Sequence, residues 1–239
     1  MNRLFLWLLT LLLGWLGGCA TSHEAPAGPA GKLPASSSAP TFLALGDSYT
    51  IGEGAAAADR WPTQLTELLA AQGMAVQSPS YIARTGWTTD ELQATIAAAN
   101  PPATYGLVSL LIGVNNQYRG QSVATYRPGF RALLQAAIRC AGGRPGRVVV
   151  LSVPDWGQSP FAQRQRQEAS IIGREIDQFN AAARDECRQA GVAFVDITDL
   201  TRAAATHREQ FTPDGLHYSR AQLRLWAGRA LPVVHGLLQ

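Results

Sequence analysis

The chain has 239 residues, enough for one ordinary domain with appendages. Apolar residues make up 46% and charged residues 15%, a globular balance that excludes a disordered chain. Formal net charge is +3, but the basic residues, all arginine except Lys32, are scattered without aromatic-interleaved clusters, which argues against nucleic-acid binding.

Residues 1–18 read as an export signal and stand outside the fold argument. Arg3 supplies a positive start, and 4–16 is an apolar run shorter than the roughly 20 residues needed to span a bilayer. The run ends in Leu16-Gly17-Gly18-Cys19, which resembles the lipobox of bacterial lipoproteins. That resemblance implies cleavage before Cys19 and lipidation of its thiol and amine. With Ala20 next rather than aspartate, it further implies anchoring in the outer membrane, facing the periplasm. An ordinary secretory signal that contains a cysteine is the other reading. Residues 19–40 are mostly small or proline, with too few apolar side chains to offset the entropy of ordering. They are expected to form a flexible tether with a reach of about 25 Å, followed by one folded domain over 41–239.

Strand-like runs fall at 41–45, at 75–82 (interrupted), and at 106–112, 147–153 and 192–197. Several are nearly continuous in apolar residues, as parallel strands covered on both faces require. Helical spacing fills the gaps. Trp61, Leu65, Leu68 and Leu69 recur on one face, with Pro62 allowed in the first turn. Thr88-Thr89-Asp90-Glu91 reads as a capping box. Longer helices are predicted over 128–141 and 165–190, and a last one from Ser219. This alternation predicts an α/β fold: a three-layer α/β/α sandwich around a five-stranded, mostly parallel, doubly wound sheet of flavodoxin-like type.

Cys140 ends the stripe Phe130, Leu133, Ala137, and Cys187 continues the stripe Ile172, Ile176, Phe179, Ala183. In an exported protein an even pair of cysteines suggests a disulfide. Successive right-handed crossovers would place both helices on one side of the sheet with these ends together. A Cys140–Cys187 disulfide is therefore expected, with two buried thiols as the alternative.

In open α/β sheets the binding crevice lies beyond the carboxyl ends of the strands. Ser48 follows the first strand, Gly86 the second and Asn115 the third, while the loop with Asp214 and His217 comes after the fifth. Ser48 lies in Gly46-Asp47-Ser48, where a sharp turn exposes its hydroxyl; that hydroxyl needs a base to become a nucleophile. His217 is the best base. His23 lies in the tether, and His207 and His235 lack an acidic neighbour in a tight turn. Asp214 stands three residues before His217, placed to hold one ring nitrogen. Gly86 and Asn115, with the N–H of Ser48, are candidate oxyanion donors. Each residue has a purely structural reading as a cap or turn former; their convergence on one edge carries the case.

The same residues resemble the SGNH or GDSL-type hydrolases from about residue 41 to the C-terminus. Gly46-Asp47-Ser48, Gly86-Trp87-Thr88-Thr89, Gly113-Val114-Asn115 and Asp214-Gly215-Leu216-His217 match the four family blocks in order. The resemblance implies a triad of Ser48, His217 and Asp214 that hydrolyses carboxylic esters through an acyl-enzyme, without metal or cofactor. Some relatives cleave thioesters or transfer acyl groups. Two departures stand out: Asn116 where aspartate is usual, and Tyr218 where proline is frequent. The expected function is a serine esterase acting on a small-molecule, lipid or glycan ester. The alternatives are an acyltransferase of the cell envelope using the same site, or a non-catalytic ligand-binding lipoprotein. Tyr49, Trp87, Tyr118 and Trp156 are candidate substrate-pocket aromatics, and 117–127 is a candidate lid or pocket wall. Acyl length, alcohol partner and oligomeric state are not legible in the sequence.

Overall fold

The computed structural model describes residues 39–165 and 168–239. The export signal, the candidate lipidation site Cys19 and nearly all of the tether, including His23, lie outside the described residues.

Strands β1 (Phe42–Gly46), β2 (Ser80–Ala83), β3 (Leu107–Leu111), β4 (Val148–Leu151) and β5 (Ala193–Val195) form one sheet in the order β2-β1-β3-β4-β5. Every pairing is parallel. Side chains alternate between faces with period two. Phe42 and Ala44 join Leu107, Leu111, Val149, Leu151 and Val195 on one face. Leu43 and Leu45 join Val108, Leu110, Val148 and Val150 on the other. Both faces are covered, which is why β1, β3 and β4 are almost wholly apolar.

Helices α2 (Trp61–Ala71) and α8 (Arg220–Leu238) close the first face with Leu65, Leu69, Leu223 and Trp226. Helices α3 (Thr89–Ala99), α5 (Val123–Cys140) and α6 (Ala169–Ala190) close the second with Leu92, Ile96, Phe130, Leu133, Phe179 and Ala183. The expected α/β/α sandwich is present. Three short helices, α1 (Ser48–Ile51), α4 (Val114–Tyr118) and α7 (Thr198–Ala203), sit just past the carboxyl ends of β1, β3 and β5.

Local differences have local causes. β2 is confined to 80–83, a partly exposed edge strand paired only to β1. Helix α5 begins at Val123 rather than near 128, because the Ser122 hydroxyl accepts the Thr125 N–H at 3.1 Å and the helix runs on through Pro128. Residues 117–127 are therefore mostly helical, and the turn between α4 and α5 is too short for a lid.

Cys140 and Cys187 are buried free thiols, so the expected disulfide is absent. The register of α5 against α6 explains why. Glu186 receives the guanidinium groups of Arg127 and Arg131, which sets Cys187 level with the middle of α5. Cys140 lies more than two turns further on, about 13 Å along the axis at 1.5 Å per residue. A disulfide needs Cα atoms within about 7 Å. Both cysteines pack instead among the apolar side chains beneath α5 and α6.

Candidate active site

Strand β1 delivers Ser48. At its end Gly46 has φ +159°, and a Cβ there would lie 2.1 Å from Thr50 Oγ1 and 2.3 Å from the Leu111 carbonyl oxygen. Only glycine lets the chain turn this close to β3. Asp47 caps α1 by accepting the Tyr49 N–H at 3.0 Å, which fixes Ser48 as the first helical residue. The Ser48 N–H and hydroxyl make no hydrogen bond among the described residues, so both remain available to a ligand.

The loop before α8 delivers His217, the candidate base. Asp214 Oδ1 accepts the N–H groups of Leu216 at 2.7 Å and His217 at 3.0 Å, and the Thr212 hydroxyl at 2.8 Å. Its other oxygen lies 2.6 Å from His217 Nδ1. Partial burial opposes ionisation of Asp214, but the His217 ring and the Leu216 and His217 N–H groups outweigh it and hold the carboxyl well below its usual range. An ionised carboxylate can only accept, so Nδ1 is the protonated ring nitrogen and Nε2 is left to accept a proton. A one-bridge antiparallel ladder, Phe211 against Tyr218, closes this loop. His207 and His235 pair with Glu209 and Gln239 on the surface, away from the cleft.

The oxyanion candidates also reach the cleft. Gly86 adopts φ +84°, and its N–H is unpartnered among the described residues. Its carbonyl accepts Arg119 Nη2 at 2.6 Å. Asn115, on α4, donates one amide hydrogen to the Trp87 carbonyl at 2.9 Å, which leaves a second donor. Its neighbour Asn116 is fully buried. Asn116 accepts the Thr89 N–H at 3.1 Å and donates to Thr89 Oγ1 and Gln121 Oε1, each at 2.9 Å. A carboxylate could not donate to Gln121. The asparagine here is a neutral clamp between α3 and α4.

Ser48, Gly86, Asn115 and His217 all line one cleft of about 170 Å³, together with Tyr49, Thr85, Val114, Tyr118, Trp156, Phe161 and Leu216. Three of the four candidate aromatics are therefore present. Tyr49 packs at the base with its ring 5.6 Å from that of His217. Trp156 forms a fixed wall, donating its Nε1–H to Gln117 Oε1 at 2.8 Å, and the exposed Tyr118 ring stacks edge-on against it at 5.3 Å. Trp87 does not line the cleft. It precedes the Thr88 cap and is partly buried, packed against the apolar cluster that includes Leu92 of α3. Tyr218 also points inward, stacked on Tyr49, Phe211 and Trp226 with its hydroxyl near the Asp155 carbonyl, so it offers no substrate-facing ring. Thr85, Val114, Phe161 and Leu216 carry no chemical motif; each becomes recognisable only as a neighbour of a motif residue or, for Phe161, through a long loop.

The comparisons with known proteins agree with this architecture. A family model described as GDSL-like Lipase/Acylhydrolase matches residues 44–224. No curated protein sequence matches the chain. Among solved structures, the chain is similar to a lipase/acylhydrolase from Enterococcus faecalis, with TM-score 0.62 and 19% identity over 84% of this chain and 97% of that one. It is similar to TesA, with TM-score 0.65 and 19% identity over 83% and 99%. It is also similar to Axe2, an acetylxylan esterase from Geobacillus stearothermophilus, with TM-score 0.63 and 17% identity over 82% and 94%. At such identities these likenesses concern the fold.

Proposed function

The chain belongs to the GDSL-like lipase/acylhydrolase family, a serine hydrolase of ester bonds, and we propose that Ser48, His217 and Asp214 are its catalytic triad, acting on short-acyl carboxylic esters. The carrying observation is that an Asp214–His217 pair at 2.6 Å and an unpartnered serine hydroxyl share one cleft. His217 Nε2 takes the Ser48 proton as Oγ attacks the ester carbonyl. The developing imidazolium is stabilised by Asp214. The oxyanion is held by the N–H groups of Ser48 and Gly86 and by the Asn115 amide, an arrangement in which each donor is typically worth about 10²–10³ in turnover. His217 then protonates the leaving alcohol, and water, activated by the same ring, hydrolyses the acyl-enzyme. The Ser48–His217 hydrogen bond forms on substrate binding, since such contacts often tighten only in the Michaelis complex.

The size of the cleft supports short chains. The cleft is small, about 170 Å³, and the lining by Val114, Trp156, Phe161 and Leu216 is apolar. The test is a series of nitrophenyl esters from acetyl to palmitoyl. The expected result is maximal kcat/KM between acetyl and butyryl, with Ser48→Ala down by about 10³ or more. A palmitoyl optimum would refute the acyl length, and an unimpaired Ser48→Ala the triad.

For placement in the cell, the Leu16-Gly17-Gly18-Cys19 run supports a lipid anchor at Cys19 that holds the enzyme at the outer membrane, facing the periplasm. Replacing Cys19→Ala is expected to move the protein from the membrane to the soluble fraction; unchanged membrane association contradicts the anchor.

A further inference from the structure

The flank of the cleft that carries the Asp214–His217 loop holds two arginines with no acidic counterpart among the described residues. Arg164 donates from Nη2 to the Asp214 carbonyl at 3.0 Å, and Arg208 donates from Nη2 to the Pro213 carbonyl at 3.2 Å. The two guanidinium groups are thus pinned to consecutive carbonyls of one loop. Arg164 also lies over the Phe161 ring, 5.8 Å from its centroid, and Phe161 lines the cleft. Arg208 sits against Gly215, where a Cβ would meet its Nη1 at 2.6 Å. The Phe161 N–H donates to the Gly215 carbonyl at 2.9 Å, so both arginines and the cleft edge form one connected surface.

Most arginines elsewhere in the domain, such as Arg127, Arg131, Arg202 and Arg229, are paired with carboxylates. Among the described residues, neither Arg164 nor Arg208 has a carboxylate oxygen within ion-pair distance. The acids nearby are committed: Asp214 to His217, Thr212 and the loop N–H groups, and Glu209 to His207. Each guanidinium uses one of its five N–H donors on a carbonyl, which leaves forked donors facing solvent. A guanidinium fork matches a phosphate or carboxylate in two-point geometry.

The position says which part of a substrate that anion belongs to. In the triad mechanism His217 protonates the leaving alcohol, so the alcohol portion lies toward the Asp214–His217 loop. The acyl group lies toward Val114, Trp156 and the oxyanion donors. We infer that Arg164 and Arg208 form a subsite for an anionic group on the alcohol portion of the ester, selecting substrates whose alcohol carries a phosphate or a carboxylate. The inference rests on the triad reading above and deepens it by naming the substrate class.

The test compares butyrate esters of three phenols that differ only in the para group: 4-hydroxybenzamide (neutral), 4-hydroxybenzoate (carboxylate) and 4-hydroxyphenyl phosphate. They are assayed on the full-length protein at low salt. The expected result is kcat/KM at least about ten-fold higher for one or both anionic esters than for the neutral one, a preference that shrinks as salt is added. In Arg164→Gln/Arg208→Gln the anionic-to-neutral ratio falls toward one, whatever happens to the absolute rates. Arg208→Glu takes the ratio below one. Arg147→Gln, at the opposite end of the sheet, leaves the ratio unchanged. Which anionic ester gains more separates a phosphate from a carboxylate subsite. Wild-type protein that hydrolyses the neutral ester with no anionic preference, or a preference that survives the double variant, overturns this inference and leaves the triad standing. Failure to hydrolyse any of the three, together with no reaction with a fluorophosphonate, overturns the triad and the inference with it.

Discussion

Two aspartates flank the reacting centre, and their surroundings drive them toward opposite charge states. Asp214 is anchored by ring and backbone donors and stays ionised, as its proposed role of orienting His217 requires. Asp47, immediately before Ser48, is fully buried. Its Oδ1 accepts the Tyr49 N–H, but its Oδ2 has no hydrogen-bond partner among the described residues. Burial raises its pKa to about 7, opposed by the Tyr49 N–H. The folded protein therefore keeps a proton on Asp47 that the unfolded chain releases near pH 4. Between pH 4 and 7 the native state binds more protons than the unfolded state, so this residue lowers stability as pH rises through that window and adds no further slope above it. Asp47→Asn keeps the acceptor for Tyr49 and cannot ionise. Thermal melts from pH 4 to 8 should show a shallower decline in Tm for Asp47→Asn than for wild type; parallel profiles would mean that Asp47 is already charged in the fold.

At the scale of elements, the register of α5 against α6 is set by one buried carboxylate. Glu186 accepts from Arg131 and Arg127 at 2.6 Å each, with a second Arg131 bond at 2.9 Å. Hydrogen bonding from Arg131 first, joined by Arg127, outweighs the opposing effect of burial and holds its carboxyl at about 2. A depressed carboxyl pKa contributes stability that is complete above the ordinary glutamate value of about 4.3 and is lost as pH falls toward 2. Glu186→Gln should therefore lower Tm at neutral pH and narrow its gap to wild type as pH drops from 4.5 to 2. A gap that stays constant over that range would assign the loss to packing alone.

This register also marks where sequence reading stops. The alternation of Phe42, Leu43, Ala44 and Leu45, and the apolar runs of β3 and β4, identify both faces of the sheet without coordinates. The Thr88 cap is equally legible, because Glu91 reaches back to its N–H at 2.8 Å, a bond between near neighbours. How far one helix slides along another depends on contacts such as Arg131–Glu186, which no local pattern encodes. The Cys140–Cys187 expectation failed for that reason. Trp87 differs from expectation for a related reason: an aromatic beside a glycine block reads as cleft-lining in sequence, whereas beyond the turn at Gly86 it packs, partly buried, against the apolar cluster under the sheet's second face. The site residues were more legible than the cleft that surrounds them, since Ser48, His217 and Asp214 carry chemistry while Phe161 and Leu216 contribute only surface.

For the molecule as a whole, the doubly wound sheet gathers what distant segments supply. β1 ends at Ser48, the β2–α3 turn holds Gly86, β3 leads to Asn115, and the loop before α8 brings His217. Trp61, Trp156 and Trp226 are nearly or wholly buried against this framework, so the cleft rests on packed walls. Such packed walls suit the proposed site, in which a hydroxyl, an imidazole and the proposed oxyanion donors are to be held ready before substrate arrives. The most direct test is the stoichiometry of covalent labelling by a fluorophosphonate, read by intact mass and peptide mapping. One adduct per chain is expected, on Ser48, absent in Ser48→Ala and strongly slowed in His217→Ala. Folded wild-type protein that takes up no label, or takes it up at a residue other than Ser48, would contradict it.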